Sequence, residues 1–435
     1  MMRSPFRTRW IAALMLGCGA CMPALSATLS AAEQNAALQA IMAAFEEQYV
    51  FPEMRPRIIA QLKSSQRKGR YATDDPGTFA ERITDDLRAV SRDKHLSLVV
   101  DPVGYAAAKA GDDSDENEQA LWRRQALRSH HGLAQLTVLG GNVRYLKITG
   151  FEWVEDETGR AYDDAMSFLK GGDAVIIDVR GNGGGTHAAV RYLVSHFMRG
   201  DTLEMSFLAG PAVPEQSRTL EYLPAGRLQN MPLYVLIDGG TASAAEAFAY
   251  DVQQFKLGEL VGARTVGAAN NNKHVPIAPD FILSVSYGRP LHAISNANWE
   301  GVGVAPTVDA PPQQALEVAH SLALQRLREK KGVSAENLND YCWAATAVEA
   351  RLHPVALTPD RLQSFTGRYA TAQVDFRDGI LWLSRPDRPT LRLSPMTADG
   401  LFAVDGIDRL RVRFTGQALE LLRAGEPAPR VFPRG

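Results

Sequence analysis

Two short apolar runs, each delivering the chain through a glycine turn into a helix, limit what this sequence can fold into. Ala174-Val175-Ile176-Ile177-Asp178-Val179 is a nearly continuous apolar run, which suits a strand covered on two faces. The turn Gly181-Asn182-Gly183-Gly184-Gly185 follows, and a helical stretch runs from His187 to Met198. The unit repeats: Leu233 to Ile237 reads as a strand, Asp238-Gly239-Gly240 as a turn, and the chain from Thr241 onward as an alanine-rich helix. Alternating strands and helices require an α/β core, with Asn142 to Ile148 as a further strand.

The rest of the chain frames that core. At about 150 residues per domain, 435 residues imply about three domains. Helical spacing of Leu38, Ile41, Met42 and Phe45, then of Ile58, Ile59 and Leu62, then of Phe79, Ile83, Leu87 and Val90, predicts a helical bundle over residues 33–130. Residues 111–118 are acidic and read as a solvated loop. The α/β core is assigned to 131–330, its end marked by Pro311, Pro312 and a helix from Gln313 to Lys330. Residues 360–435 predict a β unit with strands at Gly367–Ala370, Gln373–Arg377, Ile380–Ser384, Thr390–Ser394 and Arg409–Phe414.

Composition excludes some functions. With 45% hydrophobic and 22% charged residues the chain is globular rather than disordered. A net charge of -2 without a basic stripe argues against nucleic acid as a partner. No apolar run beyond the N-terminus reaches the ~20 residues of a membrane span. Residues 1–32 combine Arg3, Arg7 and Arg9 with an apolar stretch from Trp10 to Met22 and small residues near Ser26 and Ala32, the pattern of a signal peptide. Export to the periplasm or medium is therefore expected. The alternative is a lipid anchor at Cys18, within a Met15-Leu16-Gly17-Cys18 sequence that loosely matches a lipobox. Cys342 lies alone outside the leader, so no intramolecular disulfide or thiolate metal site is expected there.

Ser243 is the leading candidate for chemistry. A buried strand and a glycine turn carry it to the first turn of a helix, where backbone N–H groups and the dipole favour developing negative charge. The plainer alternative is that Thr241 or Ser243 caps the helix. The glycines at 183–185 let the backbone approach a ligand closely and suit oxyanion binding, phosphate binding or a simple tight turn. The Walker lysine and the Rossmann spacing are both missing.

Taken together, Asp178-Val179-Arg180-Gly181-Asn182-Gly183-Gly184-Gly185, Thr241-Ala242-Ser243-Ala244-Ala245-Glu246, Gly262-Ala263-Arg264-Thr265-Val266-Gly267 and Glu300-Gly301-Val302-Gly303-Val304-Ala305-Pro306 resemble the ordered signature of the tail-specific (C-terminal processing) serine peptidases. Asp93-Lys94-His95-Leu96 and Asn142-Val143-Arg144-Tyr145-Leu146 are similar to the interphotoreceptor retinoid-binding-protein and tricorn-core branch. The resemblance implies a crotonase-like (ClpP/crotonase-type) α/β peptidase core with an N-terminal helical bundle and a C-terminal β-rich domain. It further implies an exported endopeptidase acting on protein or peptide substrates through an acyl-enzyme. Ser243 is then the nucleophile, His95 the general base, Glu300 the carboxylate that orients it, and the backbone N–H groups of Gly184 and Ala244 the oxyanion hole. No metal or organic cofactor is implied.

The bacterial processing branch instead uses a lysine about 25 residues after the serine. That neighbourhood here reads Gly267-Ala268-Ala269-Asn270, leaving Lys273 as the nearest candidate for a Ser–Lys dyad. A family member that binds peptides or apolar ligands without cleaving them is the other alternative. His187 and His274, flanking the glycine turn and the asparagine run, rank lower. If Glu300 is ionised beside His95, imidazolium is favoured and the His95 pKa is expected at or above about 6.5.

Overall fold

The computed structural model describes residues 28–435 apart from 111 and 211–212, and the side chains of 110–119 are not described. The leader, its cleavage sites and Cys18 lie outside the described residues. Among the described residues no helix is long and apolar enough to cross a membrane.

A six-stranded sheet forms the centre, in the order Val308–Asp309, Glu259–Gly262, Leu233–Ile237, Ala174–Asp178, Val143–Ile148, Leu133–Leu139. All neighbours are parallel except the last pair. The two apolar runs are buried along their whole length. Val175, Ile177, Val235 and Ile237 pack on one face with the helices Glu155–Lys170, His187–Ser195 and Ala244–Gln254. Ala174, Ile176, Tyr234 and Leu236 pack on the other, against Ala315–Glu329 and Ala335–Leu352. Burial on both faces removes a strand's polar alternation, which is why these runs stand out in the sequence.

A second sheet, of five strands, ties the helical front to this core. Its long strand Phe281–His292 pairs with Ser97–Val100, Asn271–Ile277 and Leu203–Leu208, and the last of these pairs with Glu215–Arg218. Phe281, Leu283 and Val285 also enter the apolar core of the front helices Ala31–Gln48, Arg55–Arg67 and Pro76–Ser91. Residue 95 therefore enters the centre of the molecule because Ser97 is registered against Ser284.

The acidic stretch predicted as a loop belongs instead to the helix Asp112–Arg128. Glu116, Glu118, Gln119, Ala120 and Leu121 are good helix formers, and backbone propensity does not require an apolar stripe.

The C-terminal unit has eight strands, not five, each antiparallel to the next in sequence order from Gly367–Tyr369 to Arg430–Pro433. Tyr369 bridges Arg434, and the Gly435 N–H donates to the Arg368 carbonyl at 3.0 Å, so the last strand returns to the first and the sheet closes into a barrel. Inward-facing residues such as Val374, Leu383, Phe402, Val412 and Phe432 fill it. The unpredicted strands are Leu401–Val404, Ala418–Arg423 and Arg430–Pro433.

Candidate active site

Ser243 sits at the start of the helix Ala244–Gln254 with φ +53° and ψ -120°, a backbone conformation that is strained for any side chain with a Cβ. Glu246 holds it there. Its carboxylate is buried and accepts the Ser243 N–H at 3.0 Å, the Gly267 N–H at 2.6 Å, the Ala268 N–H at 2.8 Å and the Thr265 hydroxyl at 2.5 Å. One side chain thus fixes both the serine and the turn in front of it. Sequence reasoning gave Glu246 no role, although Ser243-Ala244-Ala245-Glu246 carries the Ser-x-x-Glu capping-box pattern. Thr241 does not cap the helix. Its hydroxyl donates to the Val179 carbonyl at 2.9 Å and accepts the Asp238 N–H at 3.0 Å, closing the turn.

His95 arrives from the front of the molecule, 148 residues away in sequence, with Nε2 at 3.3 Å from the Ser243 Oγ. That is a long hydrogen bond, of the kind that tightens when substrate binds. Beside these two residues lies a cavity of ≈ 270 Å³, lined among others by Gly185, His187, Met205, Phe207, Ala247, Asn270 and Trp299.

The carboxyl groups are arranged differently from the simple triad. Glu300 comes close to His95 but spends its oxygens on backbone donors: Ala269 N–H at 2.6 Å, Asn270 N–H at 3.0 Å and Lys94 N–H at 3.3 Å. The His95 Nδ1 is buried and makes no hydrogen bond. Asp93, 1% exposed, accepts the His95 backbone N–H on Oδ1 at 3.0 Å, and on Oδ2 the Asn270 amide at 3.0 Å and the Tyr49 hydroxyl at 3.3 Å. Ligand-type atoms of Asp93, His95 and Glu300 lie within 4.8 Å of one another, the one such trio among the described residues, so a cation would find its donors here. Asp93 stands in the Asp93-Lys94-His95 segment, where the motif alone gives it no role.

Burial pushes the Glu300 carboxyl up to about 7, and the Asp93 charge adds to the rise, against three backbone hydrogen bonds that lower it. Burial pulls the His95 imidazole below its ordinary range, opposed by the Asp93 charge and assisted by Arg88. This corrects the expectation of a raised His95 pKa. Desolvation of the imidazole dominates, and the acid whose charge favours imidazolium is Asp93, whereas Glu300 with its raised carboxyl is only partly ionised near neutrality.

Gly184 has φ +108° and packs directly on the serine, with no room for a side chain. A Cβ there would meet the Ser243 Cβ at 2.7 Å and the Ala244 nitrogen at 3.0 Å. Its N–H, expected to serve the oxyanion hole, donates to the Asn182 Oδ1 at 2.9 Å. Gly185 and Ala244 line the cavity. Lys273 lies on the strand Asn271–Ile277 with its ammonium 5.7 Å over the ring of Tyr287, and among the described residues no hydrogen bond joins it to Ser243. His274 is exposed on the same strand.

A second serine–histidine–carboxylate cluster backs the cavity. The His187 Nε2 lies 2.7 Å from Glu204 Oε1 and 2.9 Å from Ser217 Oγ, and the Ser217 hydroxyl donates to the same Glu204 oxygen at 2.7 Å. Behind it, the fully buried Asp251 carboxyl is pushed well up by burial and by the Glu204 charge. His292, with Nε2 at 3.2 Å from Asp251, is pulled down to about 4 by burial.

Known proteins resemble this chain in both of the parts that build the site. The sequence profile of peptidase family S41 matches residues 142–310, and that of the N-terminal domain of peptidase family S41 in eukaryotic IRBP matches residues 24–128. The carboxy-terminal processing protease CtpB of Bacillus subtilis is 25% identical over 174 residues, covering 39% of this chain. The match spans about a third of that protein, 34% of its length. Among solved structures, the photosystem II D1 C-terminal processing protease superposes with a TM-score of 0.44 at 16% identity, covering 65% of this chain and 94% of its own. The tricorn protease gives 0.43 at 12% identity, covering 67% of this chain and 37% of its own. With both profiles falling on the segments that carry His95 and Ser243, the chain belongs to peptidase family S41, the tail-specific or C-terminal processing proteases.

Proposed function

We propose that this protein is an exported serine endopeptidase that cleaves protein or peptide substrates by acyl transfer, on a crotonase-type core framed by the helical front and the barrel. The observation that carries the reading is the contact between His95 Nε2 and Ser243 Oγ at the edge of the cavity, made by two segments with no local reason to meet. Ser243 Oγ attacks the scissile carbonyl carbon as its proton passes to His95 Nε2. The tetrahedral oxyanion is held by the Ala244 N–H and the glycine turn, with the Gly184 N–H leaving Asn182 to take part. His95 then gives its proton to the departing amine, and water repeats the sequence in reverse to free the acyl group.

The carboxyl groups act through His95 rather than on the substrate. Asp93 supplies negative charge beside the imidazole, and Glu300 fixes the 269–270 turn against the 93–95 segment through its backbone hydrogen bonds. A fluorophosphonate probe tests the reading: the wild-type chain labels once, and Ser243→Ala removes the label. Labelling that survives His95→Ala but is lost in Lys273→Ala would move the base to Lys273. Binding of unstructured peptides with no cleavage would favour the non-catalytic alternative.

A further inference from the structure

The barrel at the C-terminus holds a charge arrangement that the peptidase site does not use. In the strand Ile380–Arg385, Leu381 and Leu383 face the barrel interior, so Arg385 continues the inward row at the strand's end. Arg388 is its cross-strand partner across the Pro386-Asp387 turn and shares its face. In the strand Ala418–Arg423, Leu419 and Leu421 face inward and Arg423 continues that row. Arg430 is registered against Leu421, and its guanidinium stacks 5.1 Å over the inward Phe432 ring. Two hairpins on different parts of the barrel therefore bring four arginines to one mouth.

The cluster is short of acids. Arg385, Arg388 and Arg430 form no salt bridge among the described residues, and Arg423 has only Glu426 at 3.9 Å, with both side chains more than half exposed. The Arg385 Nε is buried and has no hydrogen-bond partner. Burial, and then the charges of Arg388, Arg430 and Arg423, lower its pKa from the usual arginine range. Other barrel arginines have partners, either acids, as Arg377 with Asp375 at 2.7 Å and Arg392 with Asp405 at 3.2 Å, or carbonyls, as Arg411 with Trp343 and Arg434 with Thr366. Leaving four like charges together with a buried unpartnered donor is costly unless something supplies acceptors.

We propose that this barrel mouth, formed by Arg385, Arg388, Arg423 and Arg430, is a binding site for a phosphate-class oxyanion. A carboxylate offers two oxygens to one guanidinium fork. A phosphate group presents several oxygens around one centre and up to two negative charges, which suits several forks converging from different strands. Either a free phosphate ester or the phosphomonoester headgroup of a lipid meets that requirement. The site is independent of the peptidase chemistry, so its failure would leave that reading intact.

Calorimetric titration of the full chain with inorganic phosphate is the direct test, with co-sedimentation on phosphatidylcholine vesicles with and without phosphatidic acid as its second arm. We expect phosphate to bind, and Arg385→Ala combined with Arg388→Ala to weaken binding by at least about tenfold, as loss of charge-assisted hydrogen bonds predicts. Arg377→Ala, at the other end of the barrel, should bind as wild type. Should the Arg385 variant fold poorly, Arg388→Glu with Arg430→Glu changes only exposed side chains and should abolish binding with an unchanged Tm. Sedimentation that requires phosphatidic acid and is competed by phosphate assigns a lipid headgroup, and phosphate binding without it assigns a soluble ester. Absence of both, or equal binding in the arginine variants, overturns the proposal.

Discussion

The molecule contains two serine–histidine–carboxylate clusters within reach of one cavity, and they present their serines differently. Ser243 stands at a helix start in a strained backbone conformation, with its hydroxyl on one ring nitrogen of His95. Ser217 lies on an edge strand and donates its hydroxyl proton to Glu204, while one His187 nitrogen approaches both serine and carboxylate. In the first cluster the imidazole has one nitrogen for the nucleophile and the other left over. In the second, a single nitrogen serves both partners, so no proton can pass through the ring from one to the other. Residue types alone do not distinguish the two. The backbone that presents the serine does, together with the nitrogen it meets.

The comparison breaks most sharply at the serines. Ser243→Ala should lower kcat/KM by at least about 10⁴, as removing a member of such a unit does. Ser217→Ala should leave it within about threefold, because that buried hydroxyl serves Glu204 and His187 and meets no reacting group, so its loss falls on local stability rather than on the rate. Equal losses in both variants, measured on an unstructured protein substrate, would mean that the catalytic serine has been misassigned.

Gly184 gives the next largest effect. An alanine there places a methyl group 2.7 Å from the Ser243 Cβ at a φ of +108°, so the serine or the glycine turn must move. Misplacement of reacting groups by about 1 Å costs on the order of 10² in rate. Gly183→Ala meets open space and should be far milder. A Gly184→Ala enzyme with wild-type kcat/KM would show that the turn does not position the nucleophile.

How much of this could be read in the sequence depended on whether the signal was local. The parallel core was legible because burial on two faces produces uninterrupted apolar runs. The serine turn was legible because its glycines answer to backbone geometry. Asn271–Ile277 was invisible as a strand, since Asn-Asn-Lys-His-Val-Pro-Ile has no apolar alternation and owes its conformation to pairing with Phe281–His292. The barrel strand Leu401–Val404 is too short to show a period. His95, Ser243 and Glu300 stand out through their motifs. Motifs carry no charge balance, however, so the placing of Asp93 beside Glu300 and its effect on both titrations appeared only in three dimensions. Glu246 was written in the capping pattern and overlooked.

The pH profile sharpens the first cluster further. A general base must be neutral in the free enzyme, so kcat/KM falls as pH drops through the His95 pKa. Burial lowers that pKa, which puts the acid limb below the ordinary value of about 6.5. Asp93→Asn removes the charge that opposes the lowering, so the limb should move further toward acid while the maximal rate drops. Glu300→Gln should move it much less. A wild-type limb above 6.5 that tracks Glu300 instead of Asp93 would restore the simple triad.

The smallest effect concerns stability, and it isolates Glu300. Its carboxyl is raised from 4.5 to about 7 in the folded chain, so the folded state holds a proton more tightly than the unfolded state. That contribution is complete below pH 4.5 and disappears as pH rises through about 7. Wild-type Tm should therefore carry a downward slope between those limits, of a few degrees at most for a chain of this size. Asp251, whose carboxyl is also raised, adds a slope of the same sign that a change at residue 300 does not touch. Glu300→Gln keeps an oxygen for the Ala269 and Asn270 N–H groups but does not titrate, so any stability it loses is the same at every pH. The Tm difference between wild type and variant should then shrink steadily from pH 4.5 to 8. A difference independent of pH would mean that Glu300 is already ionised at the lower limit, and that burial does not raise its carboxyl.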